Sequence, residues 1–113
     1  MTIQEQLDLH KQWLLTDGQG GERLDLSGLD LRGVNLCGAD LEGANMEDVD
    51  LYRANMAGAD MRNANLRSAD LRSANMEGAD LEGANLRFAD LRSADLEGAD
   101  LTGAGLTDVK GLE

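Results

Sequence analysis

Residues 64–83 read ANLRSADLRSANMEGADLEG, and within them one five-residue unit occurs four times. Alanine opens each unit, aspartate or asparagine follows, and leucine or methionine stands third. The pattern continues in both directions, so leucine or methionine occupies every fifth position from Leu26 to Leu106, seventeen times without a gap. The larger residues Leu24, Leu29 and Val34 replace alanine in the first units. This regular repeat decides the fold.

A period of five excludes an α-helix as the repeated element. A helix turns 100° per residue, so apolar residues five apart drift around its surface and leave no buried stripe. In an extended segment, residues two apart face the same side. The first and third residues of each unit therefore point inward, the Asp or Asn between them points outward, and the last two residues turn the chain.

Internal similarity indicates how many units make one coil. Residues 66–85 match residues 86–105 at 15 of 20 positions, whereas residues 66–80 match the segment 15 residues later at only 7 of 15. Four units per coil are favoured over three, although a recent duplication would leave the same signal. With coils about 4.8 Å apart, as in paired strands, the units would form slightly more than four coils.

Over residues 24–108 the pattern resembles the pentapeptide-repeat family, whose members form right-handed quadrilateral β-helices. The resemblance implies an all-β solenoid of about four coils with leucine and alanine inside. It also supplies the handedness, which the period of five does not contain. Before the solenoid we predict an N-terminal capping helix over residues 1–17 and a flexible glycine-rich connector over 18–23; after it, a C-terminal tail over 109–113.

The N-terminal segment carries a helix signature. Thr2 and Glu5 have the spacing of a capping box. One side of the helix carries Ile3, Leu7, His10 and Leu14, with Trp13 adjacent. Because the end of a solenoid exposes unpaired backbone, we expect this side to cover the first coil.

Charge and cysteine content narrow the function classes. The net charge of −12 argues against direct binding to nucleic acid or anionic membranes, since both depend on lysine and arginine. The first residues lack a signal-peptide pattern, and no apolar run reaches the length of a membrane span. A single cysteine, Cys37, allows no intramolecular disulfide and is predicted to be exposed and inert. We predict a cytoplasmic protein.

Positions 20 apart should stack, so each side of the solenoid can be assigned a charge. The acidic face, whose units are centred on Leu41, Met61, Leu81 and Leu101, sums to −5. The opposite face is neutral because arginines follow its aspartates. The candidate partner-binding residues are Asp40, Glu42, Asp60, Asp80, Glu82 and Asp100 on the acidic face, together with Phe88.

The corner residues predict sides of different shape. Gly38, Gly58, Gly78 and Gly98 form an all-glycine column, which suits type II turns with positive φ at the third position. Columns that contain Asp48, Ser68 and Phe88, or Arg53, Ser73 and Ser93, are expected to use other turn types.

No residue group points to catalysis or to a bound cofactor or metal. His10 is the only histidine, and its predicted role is structural. The carboxylates come as columns without a cleft, unlike a glycosidase pair or a calcium loop. We therefore predict a protein that is not an enzyme and that needs no cofactor and no metal.

The leading functional hypothesis is an interaction scaffold that presents a rigid acidic surface to an unknown protein partner. The alternative follows from the resemblance: some family members mimic duplex DNA and bind bacterial DNA gyrase, inhibiting it or protecting it from quinolones. A stack about 20 Å tall would need about 12 charges to match duplex DNA, and the four sides together carry −10. A third hypothesis is that the chain is a fragment-like or recently expanded repeat protein, selected only for stability and solubility. The poorly covered C-terminal end predicts a possible homodimer.

Overall fold

The computed structural model describes residues 1–112, so Glu113 of the predicted tail lies outside the described residues. One helix, α1, spans Ile3–Leu15. From Asp25 to Lys110 the chain forms fourteen parallel β-bridges, each one residue long, and no longer strand within the described part of the chain. The element order is therefore a helix followed by a stack of very short β segments.

Every bridge joins residues 20 apart, from Asp25 with Asn45 to Asp90 with Lys110. Four five-residue units therefore make one coil, as the internal similarity predicts. The coils are joined by a regular backbone network: the Leu26 N–H donates to the Asn45 carbonyl at 2.8 Å, and the Asn45 N–H donates to the Leu24 carbonyl at 2.9 Å. This network repeats along the stack, so each coil is hydrogen-bonded to the next through its backbone.

The core is a column of inward side chains with alanines between them. The large side chains that are fully buried are Leu26, Leu41, Met46, Leu51, Met56, Met61, Leu66, Leu71, Met76, Leu81, Leu86 and Leu91. Burying one such side chain contributes about 1.5–3 kcal/mol relative to leaving it in water. The inward positions are less protected at the two ends, where Leu29 is 44% exposed and Leu106 is 40% exposed. A coil needs a neighbour on each side to bury its own residues.

All seventeen corners adopt one conformation, so the prediction of different turn types is wrong. The third residue of every turn has a positive φ, whether it is glycine, as at Gly78 (67°), or a larger residue, as at Ser68 (60°) and Phe88 (64°). Stacking favours the uniformity, because the thirteen corner N–H groups from Gly28 to Phe88 each bond to a carbonyl of the coil above; that of Ser68 donates to the Arg87 carbonyl at 2.9 Å. A left-handed conformation costs a non-glycine residue roughly 1 kcal/mol.

Helix α1 closes the N-terminal end. Its capping box is formed: the Thr2 hydroxyl accepts from the Glu5 N–H at 3.1 Å, and the Glu5 carboxylate accepts from the Thr2 N–H at 3.2 Å. Ile3 and Leu7 pack against the core. The helix therefore lies over the first coil, as its apolar side predicts.

His10 joins the helix to the solenoid. The side chain is fully buried; Nδ1 accepts from the Leu24 N–H at 2.9 Å, and Nε2 lies 2.7 Å from the Glu42 carbonyl. Because Leu24 offers a donor and Glu42 an acceptor, the ring is the neutral tautomer with its proton on Nε2. His10 thus satisfies two backbone groups of the first coil, which gives it a structural role.

The connector is folded onto α1, in contrast to the flexible segment that its glycines predict. The Gly18 N–H donates to the Trp13 carbonyl at 2.8 Å, and the Glu22 N–H donates to the Leu9 carbonyl at 3.1 Å. Gly21 sits so close to the helix that a Cβ atom there would lie 2.1 Å from the Leu9 carbonyl oxygen. Its φ of 69° and this tight contact both require glycine.

Candidate functional site

The predicted acidic residues do come together on one side of the solenoid. Asp40, Asp60, Asp80 and Asp100 are joined in sequence by parallel bridges and form one column. Glu42 and Glu82 follow two residues after their aspartates on the same side. Phe88 is not part of this cluster. It is the last residue of the unit centred on Leu86 and lies at a corner of the neighbouring side, whose units are centred on Met46, Leu66 and Leu86.

The outward Asp and Asn side chains first of all stabilise the turns. In all sixteen units from Asp25 to Asp100, the Oδ1 atom accepts a hydrogen bond from the backbone N–H two residues later. At Asp80 the distance to the Glu82 nitrogen is 3.1 Å. Asp and Asn serve equally here, since both supply the oxygen. The sequence analysis considered these outward side chains only as charges and did not predict their hydrogen bonds to the turns.

Arg62 divides the acidic face into two parts. Its guanidinium forms a fork on Asp60, with distances of 2.9 and 2.7 Å, and also reaches Glu42 at 3.2 Å. The side-chain hydrogen bond from Arg62 is the main cause that lowers the pKa of Asp60. A longer contact of 3.8 Å runs to Asp80. Arg62 therefore offsets one of the negative charges around Asp60.

The upper part of the acidic face contains no arginine of its own, and its one contact with Arg62 is the 3.8 Å contact at Asp80. Asp80, Glu82 and Asp100 place one carboxylate oxygen each within 4.8 Å of one another. At that distance two carboxylates in water repel by about 0.9 kcal/mol. Hydrogen bonds from the Thr102 side chain and backbone N–H lower the pKa of Asp100, which keeps it ionised. This acidic triplet is the part of the face that a cationic partner would meet.

A simple local rule governs the other arginines. Where arginine follows aspartate by two positions, its guanidinium forks onto that aspartate, as for Arg72 on Asp70 at 2.8 and 2.7 Å. Arg32 and Arg92 do the same with Asp30 and Asp90. Three units of the neutral face are therefore neutral through pairs inside one turn, whereas Asp50 contacts Arg32 of the coil below at 3.8 Å.

Where asparagine replaces aspartate, the arginine has no such partner. Arg67 follows Asn65 and Arg87 follows Asn85, and neither takes part in an ion pair within residues 1–112. The Arg67 guanidinium instead lies 4.6 Å from the centre of the Phe88 ring. The sequence analysis named Phe88 but missed the two arginines, although Asn two residues before Arg is the signal that would have found them.

His10 and Cys37 are the single histidine and the single cysteine of the sequence. The only histidine is buried with both nitrogens bonded to backbone groups, so it is not placed to move a proton to a substrate. Cys37 is exposed. Within the described residues, the one helix is too short to cross a lipid bilayer. What the solenoid offers is columns of charged and polar groups at a fixed spacing.

Comparison with known proteins places these features in a family. The family model for pentapeptide repeats matches eight copies over residues 30–67 and 69–108. HetL, a pentapeptide-repeat protein involved in heterocyst differentiation regulation in the cyanobacterium Nostoc sp. strain PCC 7120, is 44% identical with a TM-score of 0.73 over 76% of this chain and 42% of its own. The chain thus spans less than half the length of HetL.

A second solved structure gives the same result. The pentapeptide-repeat protein alr5209 from Nostoc PCC 7120 is 36% identical with a TM-score of 0.68, over 81% of this chain and 71% of its own. No curated protein matches the chain. Pentapeptide-repeat proteins are right-handed quadrilateral β-helices and are generally non-enzymatic. With more than half of its residues in matched repeats, the chain belongs to the pentapeptide-repeat family.

Proposed function

We propose that the protein is a non-enzymatic interaction scaffold whose acidic face binds a basic surface on a protein partner. The observation that carries this proposal is the acidic triplet of Asp80, Glu82 and Asp100, whose carboxylates lie within 4.8 Å of one another. Arg62 is hydrogen-bonded to Asp60 and Glu42 and reaches this triplet only through a 3.8 Å contact with Asp80. Coulomb attraction favours lysine and arginine side chains at such a cluster.

The solenoid lowers the entropic cost of binding at this cluster. Each aspartate is held at Oδ1 by its own turn, and its neighbours are held by the bridges between coils. Little side-chain and backbone freedom remains to be lost when a partner docks, and this ordering cost is a large part of what opposes association. The involvement of HetL in the regulation of differentiation agrees with a binding role for this related chain.

Two variants with equal loss of charge test the proposal. The first carries Asp80→Asn, Glu82→Gln and Asp100→Asn; the matched control carries Glu77→Gln, Asp95→Asn and Glu97→Gln on the neighbouring side. Both keep every turn-stabilising oxygen. Affinity capture followed by titration of the captured protein should show binding lost in the first variant and retained in the control. Equal binding by the two variants would refute the assignment to the acidic face.

The DNA-mimic alternative stays a prediction. Its specific form is that the acidic face binds DNA gyrase, so a variant with Asp40, Asp60, Asp80 and Asp100 changed to Asn should lose any inhibition of supercoiling. Asn retains the oxygen that each turn needs, so the variant isolates charge from folding. Absence of any effect of the unchanged protein at tens of micromolar would remove gyrase as its target.

The proposal also places the scaffold in the cytoplasm and includes pairing of two copies through the C-terminal end. An exposed free thiol at Cys37 suits a reducing compartment. At the C-terminal end Leu106 and Leu112 are 40% and 39% exposed. Light scattering at micromolar concentration tests the pairing, and a monomeric mass would reject it.

A further inference from the structure

A second feature of the surface lies outside the acidic face: the basic corner, formed by Arg67, Phe88 and Arg87. All three side chains are exposed, and Phe88 is 46% exposed. The other exposed large apolar residues within residues 1–112 are Met1, Leu15, Leu29, Leu106 and Leu112, all toward the two ends. Phe88 alone interrupts the polar surface of the middle coils.

Phe88 occupies a position that disfavours it. Its φ of 64° is the left-handed conformation that all corners share, and the residues above and below it in the same column are Asp108 and Ser68. Short polar residues tolerate this region far better than an aromatic one. The ring is not part of the buried core either. The fold therefore gains little from phenylalanine here, and serine serves the same corner one coil below.

The charge at this corner opposes that of the whole protein. The units 64–68 and 84–88 each carry one positive charge, in a chain whose net charge is −12. Their arginines are free of the forks that neutralise Arg32, Arg72 and Arg92. Glu47 and Asp48 lie one coil below and Asp108 one coil above, so the basic corner is small and sharply bounded.

The contact between Arg67 and Phe88 gives the corner a defined geometry. The guanidinium carbon lies 4.6 Å from the ring centre, within the range of a cation–π interaction. This stacking orients the guanidinium while its N–H groups stay available, and guanidinium groups pair with carboxylates through two parallel hydrogen bonds. Arg87 is tethered by a 3.2 Å bond to the Asn85 side chain. Two oriented cations and one apolar ring are thus presented side by side.

We propose that the basic corner is a docking site for an acidic segment of a partner protein. Carboxylates of that segment pair with Arg67 and Arg87, and an apolar side chain packs on the exposed part of Phe88. Charge complementarity decides the class of partner, because a basic segment would be repelled by both arginines. Glu47, Asp48 and Asp108 lie one coil away and reduce the attraction at long range, so binding depends on direct pairing of the partner's carboxylates with the two guanidinium groups.

The inference rests on the proposed scaffold function but concerns a different surface and the opposite kind of partner. Its test therefore uses selection from a displayed library of random 12-residue peptides on the immobilised full chain, followed by fluorescence polarisation with the enriched peptides. Three variants are compared: Arg67→Glu with Arg87→Glu, Phe88→Ser, and Arg53→Ser as a control. The control removes one positive charge at another corner, where Ser73 and Ser93 occupy the same column. Thermal unfolding confirms that each variant is folded.

The expected result is a set of peptides with at least two Asp or Glu and one apolar residue. Their affinity should fall about tenfold or more in the double arginine variant and in Phe88→Ser, as for central contacts of an interface. It should be unchanged in Arg53→Ser and in the variant that neutralises Asp80, Glu82 and Asp100. That last comparison separates this inference from the scaffold proposal. The scaffold proposal fails independently if the variant with the neutralised acidic face binds its captured protein partner as well as the unchanged protein does.

Four outcomes would overturn the inference. One is enrichment of basic peptides, and another is no enrichment at all. The third is acidic peptides that bind equally well to the double arginine variant, which would place them elsewhere. The fourth is that the corner binds a different occupant: a second copy, seen as self-association in light scattering that the arginine changes abolish, or an oligonucleotide, seen as binding that they remove.

Discussion

The hydrogen bond between each outward Asp or Asn and its own turn can be tested at one clean position. Asn55 Oδ1 accepts from the Ala57 N–H at 3.1 Å, and the neighbours of Asn55 in its column, Asn35 and Asn75, are uncharged. Replacement by alanine removes the acceptor from a partly buried N–H. A net loss of about 1 kcal/mol, within a range of 0.5–1.5, is expected for such a bond. Asn55→Asp keeps the oxygen and should lose almost nothing.

Thermal unfolding followed by far-ultraviolet circular dichroism measures the difference. For a chain of this size, 1 kcal/mol corresponds to a fall in Tm of roughly 3–6 °C. We expect that fall for Asn55→Ala and a Tm within about 1 °C of the parent for Asn55→Asp. If both changes lowered Tm equally, the amide nitrogen or side-chain packing would be responsible, and the account of the outward column as turn-stabilising acceptors would be wrong.

Four further predictions follow from the structure. His10→Ala should destabilise the protein by about 3 kcal/mol or more, because it leaves two backbone groups without partners, and hydrogen exchange should show α1 released first; uniform protection would contradict this. Gly21→Ala should also loosen α1, since Cβ has no room there, and an unchanged Tm would argue against the tight connector. Ser68→Gly should stabilise by about 0.5–1 kcal/mol in urea unfolding, because the corner has positive φ; a loss of stability would show that the serine makes a compensating contact. Arg62 lowers the pKa of Asp60 in the folded state, so this contribution is present above the unfolded pKa of about 3.9 and disappears as pH falls through the folded value. Arg62→Gln should therefore move the NMR titration of Asp60 to higher pH, and an unmoved titration would refute the fork.

The sequence was sufficient for the repeat and the core because both depend on local geometry. Alternation of side chains along an extended segment places Ala64 and Leu66 inward and Asn65 outward, and that rule needs no knowledge of the rest of the chain. The similarity of segments 20 residues apart gave the coil length, which the bridge between Asn65 and Asn85 confirms. Only the family resemblance supplied the handedness.

The corners show where local rules stopped being enough. From residue type alone, a corner with glycine and a corner with Phe88 should differ in backbone conformation, since only glycine adopts positive φ freely. The structure makes them alike because the corner N–H groups from Gly28 to Phe88 each bond to a carbonyl of the coil above, and a turn with a different conformation would lose that bond. The energy of the stack outweighs the preference of a single residue.

The candidate site was predicted only in part for a related reason. The sequence identifies the acidic column by its spacing, and the structure brings Asp80, Glu82 and Asp100 within 4.8 Å as that spacing implies. The sequence does not identify which carboxylates contact Arg62, because Arg62 reaches Glu42 and Asp80 in the coils below and above its own. Charges summed over a whole side hide this difference.

For this protein, the sequence by itself determined the period, the inward and outward sides and the presence of a helical cap, since each follows from backbone geometry within a few residues. The tertiary structure alone decided the uniform corners, the burial of His10, the tight fit of Gly21 and the contacts of Arg62 with Glu42 and Asp80. These depend on hydrogen bonds and ion contacts between groups that the chain separates by ten or more residues, and their free energy appears only when the coils are stacked.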